Sequence, residues 1–298
     1  MHAPKAQVPG AAASYDGLDA VHTGFLEFVE IAQYQGLGVR DLVHASSSRI
    51  QSFTRDTTLE LARPIILSNR WWRPFRAAGD ADVVHVDLSP RSERERQAFR
   101  LLDEEEQARW SRFRADAPQR EFALCRGALR AILCQRLACP NEELTFEEGE
   151  HGKPAAIVRG QPASVSFSVS HSGRHGLIAL AGRGRLGVDV EPRSARRNLD
   201  VLIGETLTPA EQSRLAGAGA NRRRQLFFRL WTMKEALVKA LGTGFQLHIS
   251  EFEIPAAMCN GKRLCEFRFP HLPEVRWRLE NIGNPEFAAA VAHEVSVE

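Results

Sequence analysis

Leu186-Gly-Val-Asp-Val-Glu191 is the stretch on which the reading of this chain turns. It alternates valine with small or charged residues, so as a β-strand its two-residue period sets Gly187, Asp189 and Glu191 on one face and Val188 and Val190 on the other. Two carboxylates then point the same way. Like charges at that spacing raise each other's pKa unless a cation stands between them. A hard divalent ion such as Mg²⁺, which takes carboxylate oxygens together with substrate phosphate, removes that cost. An isolated Asp-x-Glu suits a solvated strand face equally, so the stretch needs company.

Downstream, Trp231-Thr-Met-Lys-Glu-Ala-Leu-Val-Lys239 lies inside a helical period from Gln225 to Leu241, with Leu226, Leu230, Met233, Leu237 and Leu241 as one apolar stripe and Gly242 as the terminating glycine. Glu235 and Lys239 stand four apart and share a helix face, which is also the orientation of an ordinary stabilising surface pair. Lysine occurs only at Lys5, Lys153, Lys234, Lys239 and Lys262, and arginine supplies the other cations. Lysine can surrender a proton near neutral pH when its pKa is lowered, and arginine cannot. Lys153, Lys234 and Lys239 therefore stand out.

Upstream, Val165 to Ser170 alternates strictly as a strand, and Ser170-His-Ser-Gly173 after it groups hydroxyl, imidazole and backbone donors in a turn. His151-Gly-Lys-Pro154 sets a cation on a tight turn before a strand. Both suit a phosphate, and both also suit plain turn capping. Gly176 to Ala181 forms another strand, joined to 186–191 through Gly182 to Arg185. Further back, Val83 to Leu88 reads as a strand and Glu93 to Phe113 as one charged helix. A second helix, capped by Asp116 and carrying Pro118 in its first turn, bears Arg120, Arg126 and Arg130. Beyond Gly242, Leu247 to Ile254, Leu264 to Phe269, Val275 to Ile282 and Phe287 to Ala292 read as strands. The class is α+β.

The bulk properties set bounds. With 298 residues and 43% hydrophobic content the chain can bury a sizeable core in one large or two smaller domains. A net charge of +2 gives no field drawing the whole molecule to nucleic acid or membrane, so neither is expected as a partner. The 5 cysteines form no C-x-x-C pair, which argues against a disulfide framework or a zinc site. No signal segment or long apolar run is visible, and a cytoplasmic location is expected.

Taken together, Gly152-Lys-Pro154, Phe167-Ser-Val-Ser-His-Ser172, Leu186 to Glu191 and Trp231 to Lys239 resemble, in order, the motifs of the Sfp-type 4′-phosphopantetheinyl transferases. The resemblance runs from about Ala81 to the C-terminus. It implies two similar α/β halves in a pseudo-twofold arrangement, 81–184 and 185–298, preceded by an N-terminal extension, 1–80, with no counterpart in the family. It further implies transfer of 4′-phosphopantetheine from coenzyme A to a serine of an apo acyl or peptidyl carrier protein, with release of adenosine 3′,5′-bisphosphate. On that likeness Asp189, Glu191 and Glu235 hold Mg²⁺, with Mn²⁺ as a substitute. Lys234 and Lys239 contact the pyrophosphate, and Lys153 and Pro154 lie along the adenine. Arg109, Arg120, Ser170 and His171 grip the ribose phosphate. Glu235 is the candidate base and Lys239 the group that stabilises or protonates the leaving phosphate. A monomer suffices, since both halves lie in one chain.

A carboxylate-metal nuclease or nucleotidyltransferase is the alternative, because Asp-x-Glu with a later Glu also suits phosphodiester chemistry. The balanced charge and the lack of aromatics interleaved with the arginines speak against it. A non-catalytic carrier-binding relative is disfavoured by the intact Asp189, Glu191, Glu235 and Lys239. For carrier docking, the expectation is an apolar set, Leu199, Val201, Leu202 and Leu207, rimmed by Arg193, Arg196 and Arg197 and by Arg222, Arg223 and Arg224. The same apolar run also suits a core helix.

Overall fold

The computed structural model describes residues 70–149, 153–193, 198–242 and 247–295. His151 and Gly152 of the expected phosphate turn, Arg196 and Arg197 of the expected docking rim, and residues 1–69 of the expected extension lie outside the described residues.

The chain begins with a hairpin, β1 (Trp72–Ala78) and β2 (Ala81–Asp87), followed by α1 (Ser92–Phe99), α2 (Glu104–Arg112) and the long α3 (Asp116–Leu137). Six strands come next: β3 (Leu144–Glu148), β4 (Pro154–Val158), β5 (Gln161–Pro162), β6 (Ser166–Ser172), β7 (His175–Ala181) and β8 (Leu186–Pro192). Then come α4 (Leu199–Thr206), α5 (Pro209–Ala216), the long α6 (Ala220–Leu241), the short α7 (Ala256–Cys259), β9 (Leu264–Phe269), β10 (Leu272–Asn281) and β11 (Phe287–Val295). The mixed helix and sheet class is as expected.

Two four-stranded sheets, in the orders β1-β2-β7-β6 and β8-β11-β10-β9, carry the architecture, and β3-β4-β5 forms a small third sheet. The strand period explains how they stack. In β7, Ile178 and Leu180 pack with the α3 side chains Leu124, Ala128 and Leu129, while Leu177, Ala179 and Ala181 face the second sheet. In β11, Ala288, Ala290 and Ala292 join the core under α6, while Phe287, Ala289 and Val291 face the first sheet. The layers therefore run α3, first sheet, second sheet, α6. Each large apolar side chain buried in these seams contributes about 1.5–3 kcal/mol.

Where α6 meets β8, a Cβ built on Gly187 would overlap the Ala236 carbonyl oxygen and the Ala240 nitrogen, so only glycine lets helix and strand approach this closely. Gly242 ends α6 in the left-handed conformation at φ +76°, and its N–H donates to the Val238 carbonyl at 3.0 Å.

Several expectations are corrected. The charged stretch from Glu93 is two helices, because Asp103 caps α2 in a reciprocal capping box with Glu106. Asp116 opens α3 without capping it, since the N-cap is Ala115. β6 runs on through Ser172, so Ser170 and His171 lie on a strand and not on a turn. Leu247 to Ile254 is no strand: Ile249–Glu251 is a 3₁₀ turn, with the carbonyls of Ile249 and Phe252 accepting from the Lys234 ammonium and the Ile254 N–H donating to Glu211. Those backbone groups find side-chain partners in place of a ladder. β1 lies before residue 80, the expected end of the extension, and pairs antiparallel with β2.

Of the apolar residues expected at a docking face, Leu207 is buried and Leu199 and Leu202 pack against the second-half core. Val201 is 57% exposed. Arg223 is held by Asp200 at 2.6 Å.

Candidate active site at the junction of the two sheets

β6 and β8 are the neighbouring edges of the two large sheets, and serine hydroxyls stitch them where no backbone ladder does. Because Phe167 and Val169 point to the α3 core, Ser168, Ser170 and Ser172 project from the opposite face. The Val188 N–H donates to Ser168 Oγ at 3.1 Å and the Val190 N–H to Ser170 Oγ at 3.3 Å. Ser170 Oγ in turn donates to Asp189 Oδ1 at 2.8 Å, and Ser172 Oγ to Glu191 Oε2 at 2.8 Å. The alternation noticed in the sequence is thus the device that holds both acids of the Asp-x-Glu strand.

From α6, Lys239 reaches the same point. Its Nζ donates to Asp189 Oδ1 at 2.7 Å and to Ser170 Oγ at 3.1 Å. Burial alone would lower the Lys239 pKa, but Asp189, Glu235 and Glu191 outweigh it and the net direction is upward. Lys239 therefore stays charged. Glu235, one turn before it, is pushed up to about 7 by desolvation, then by the Asp189 charge, with Glu191 adding to the rise and Lys239 opposing it. Three carboxylates thus surround one ammonium.

That imbalance bears on a metal. Asp189 is 4% exposed, and its Oδ2 has no hydrogen-bond partner. A buried carboxylate oxygen left over, beside two more carboxylates that repel it, is the donor set a hard divalent cation takes. The donor types suit such an ion. Among the described residues no three of His, Cys, Asp and Glu already converge on one point, and the Lys239 ammonium compensates Asp189.

The other expected residues divide. His171 Nδ1 lies 3.3 Å from Glu121 Oε2, both side chains nearly buried, and Arg120 next to Glu121 donates its Nε to the Leu88 carbonyl at 3.1 Å. Arg109 lies over the Phe122 ring at 5.3 Å, one residue further along α3. Arg120, His171 and Arg109 thus all connect to the first turns of α3. Arg130 is instead a structural ion, 1% exposed, bound by Asp103, Glu106, Asn141 and the Leu144 carbonyl. Pro154 begins β4, and Lys153 just before it sends its ammonium to the carbonyls of Leu186 and Lys239.

Lys234 has other partners. It is fully buried, paired with Glu211 at 2.8 Å and bonded to the Ile249 and Phe252 carbonyls. Residues to which the sequence reading assigned no individual role are Ser168, Ser172, Glu121 and Glu211. The period of β6 could have shown the first two, and Thr208-Pro-Ala-Glu211, a capping-box pattern that does cap α5, could have shown the last.

Comparison with known proteins agrees with this geometry. Residues 185–292 match the family pattern described as the 4′-phosphopantetheinyl transferase superfamily, and residues 87–183 match that of a 4′-phosphopantetheinyl transferase N-terminal region. The chain is 32% identical over 177 residues to the 4′-phosphopantetheinyl transferase HetI of Nostoc sp., which covers 58% of this chain and 74% of HetI. It is 33% identical over 149 residues to the 4′-phosphopantetheinyl transferase psf-1 of Bacillus pumilus, covering 50% of this chain and 61% of the relative. A third relative, the 4′-phosphopantetheinyl transferase gsp of Aneurinibacillus migulanus, is 32% identical over 127 residues, 42% of this chain and 50% of its own. The chain thus spans between half and three quarters of the length of these relatives. With its acid strand, its glutamate-lysine helix and the serines that join them all inside the matched span, this chain belongs to the 4′-phosphopantetheinyl transferase superfamily.

Proposed function

We propose that the protein transfers 4′-phosphopantetheine from coenzyme A to a serine of an apo acyl or peptidyl carrier protein and releases adenosine 3′,5′-bisphosphate. The observation that carries this reading is the junction cluster: Asp189 with an unused buried oxygen and a charged Lys239, both held by Ser170 of β6, with Glu235 raised to about 7 beside them. Asp189, Glu191 and Glu235 would hold Mg²⁺, or Mn²⁺ through the same oxygen donors. When bound, the ion would neutralise charge on the pyrophosphate and orient it.

The carrier serine Oγ attacks the β-phosphorus of coenzyme A, forming a new P–O bond. The bond from that phosphorus to the bridging oxygen breaks, and its electron pair leaves with the adenosine bisphosphate. Glu235, a carboxylate beside Asp189 and Lys239, takes the serine proton. Lys239, a charged ammonium beside Asp189, stabilises the leaving oxygen electrostatically. Arg109, Arg120 and His171 would bind the ribose phosphate and Ser170 would orient Asp189. Lys234 has no part in it.

The same reading takes the two sheet-and-helix units, 72–184 and 185–298, as pseudo-twofold halves of one monomer acting in the cytoplasm, without nucleic acid or membrane. Among the described residues no helix is long and apolar enough to cross a membrane. The carrier would dock at α4 through Val201, with Arg222 and Arg224 steering it.

The test is to incubate the protein with coenzyme A, Mg²⁺ and a panel of apo-carriers and to weigh each carrier. Gain of one phosphopantetheinyl group on a carrier is expected. No gain on any carrier, with DNA and not coenzyme A raising the melting temperature, would favour phosphodiester chemistry instead.

A further inference from the structure

Lys153 stands immediately before β4, in the small sheet that belongs to the first half, and its own carbonyl accepts from the Gly149 N–H at 2.8 Å, closing the β3–β4 hairpin. Its side chain leaves that half. The ammonium donates to the Leu186 carbonyl at 2.6 Å and to the Lys239 carbonyl at 3.3 Å, so one group from the first half binds both β8 and α6 of the second.

The place where it lands matters. Leu186 opens β8, three residues before Asp189, and Lys239 is the residue whose ammonium holds Asp189 Oδ1. Next to Leu186 is Gly187, where helix and strand come too near to leave room for a Cβ. The Lys239 carbonyl belongs to the last turn of α6, where carbonyls run out of intrahelical donors and the helix dipole is negative, so it is a natural acceptor for a cation. Among the described residues no carboxylate is paired with Lys153. Burial, followed by the like charge of Arg185, lowers its pKa to about 8, and Arg185 is itself held by Glu294 at 2.9 Å. An ammonium kept half-buried with two carbonyls for partners is costly.

We propose that Lys153 is a positioning residue for the transfer reaction, clamping the β8 and α6 backbones on either side of the Lys239–Asp189 pair and so setting the rate of transfer and not the affinity for coenzyme A. This rests on the proposed transferase activity. A slip of α6 along β8 would lengthen the Lys239–Asp189 contact and swing Glu235 with it, and misplacement by about 1 Å is enough to cost about 10²-fold in rate.

The experiment compares wild type, Lys153→Met and Lys153→Arg in three measurements: steady-state transfer, coenzyme A binding by calorimetry, and amide hydrogen exchange of 186–189 and 236–242. For Lys153→Met we expect kcat to fall about tenfold or more, the coenzyme A Kd to move less than about twofold, and exchange to quicken in both segments. Lys153→Arg, which keeps a charged donor, should recover part of the rate and part of the protection. A coenzyme A Kd weakened about tenfold with kcat unchanged would overturn the proposal in favour of a coenzyme ligand. Unchanged kcat and unchanged exchange would overturn it as well. If Lys153→Met does not fold, the same split in Lys153→Arg decides. Wild type that transfers nothing contradicts the activity itself, while the exchange result still judges the clamp.

Discussion

Helix α6 carries two lysines five residues apart, each in an ion pair, and the two pairs have opposite characters. Lys234 meets Glu211 at 2.8 Å with both side chains fully buried, whereas Lys239 meets Asp189 at 2.7 Å with the lysine 18% exposed. Around the first pair every donor and acceptor is used: Lys234 also binds two carbonyls, while Glu211 caps α5 and accepts from the Ile254 N–H. Around the second, one oxygen of Asp189 is unused, and Glu191 and Glu235 add charge that one ammonium cannot cancel. Desolvation outweighs Glu211 and lowers the Lys234 pKa, while carboxylates outweigh desolvation and raise that of Lys239. A saturated pair is architecture, and an unsaturated one has room for a substrate.

The comparison is broken most severely at Asp189. Asp189→Ala should lower carrier modification by about 10³-fold, the scale of losing a principal electrostatic group at a reacting centre. Circular dichroism and melting should stay near wild type, because removing a carboxylate relieves repulsion with Glu235 and Glu191. Near-normal modification at ordinary Mg²⁺ would show that the second pair is structural too.

Lys234→Met should show the reverse pattern. Leaving Glu211 buried without its counter-charge is expected to destabilise the fold by about 3–5 kcal/mol, measured by urea unfolding. The protein that remains folded should bind coenzyme A as before. Loss of coenzyme affinity without loss of stability would return Lys234 to the active site.

At Lys239 the question is charge against proton. Since its acids hold it protonated, Lys239→Arg should lose less than about tenfold in kcat, and Lys239→Met should lose about 10²-fold or more. An arginine variant as inactive as the methionine one would restore the proton-donor role.

The smallest effect concerns pH. The folded Glu235 carboxyl titrates near 7 against an ordinary value of 4.5, so between those pH values the folded state holds a proton that the unfolded state has lost. Stability of the Mg²⁺-free protein must therefore fall as pH rises from 4.5 to 7. In Mg²⁺-free buffer the melting temperature of Glu235→Gln should lack this slope. A slope that persists in the variant assigns the titration to another group.

How much of this was legible beforehand follows from the range of the interactions. The facing of Gly187, Asp189 and Glu191, the apolar stripe of α6 and its stop at Gly242 were readable, because each follows from a local period or backbone preference. That Lys234 and Lys239 point apart was readable too: five residues on a helix turn through about 140° beyond a full turn, so the two cannot share a face. The break between α1 and α2 was likewise written in the capping box of Asp103 and Glu106.

Other features had no local signal. Leu247 to Ile254 has the composition of a strand, yet its carbonyls and N–H go to Lys234 and Glu211, which approach only when α5 and α6 pack together. The sequence alone determined which residues carry charge and which way each element turns them, since strand and helix periods act over a few residues. Only the tertiary structure decided that the β6 serines would serve the acids of β8, that Lys153 would cross into the other half, and which lysine would be sealed. Those contacts join residues from 19 to 86 positions apart, and their energies depend on burial and on competing partners that exist only once the two sheets have met.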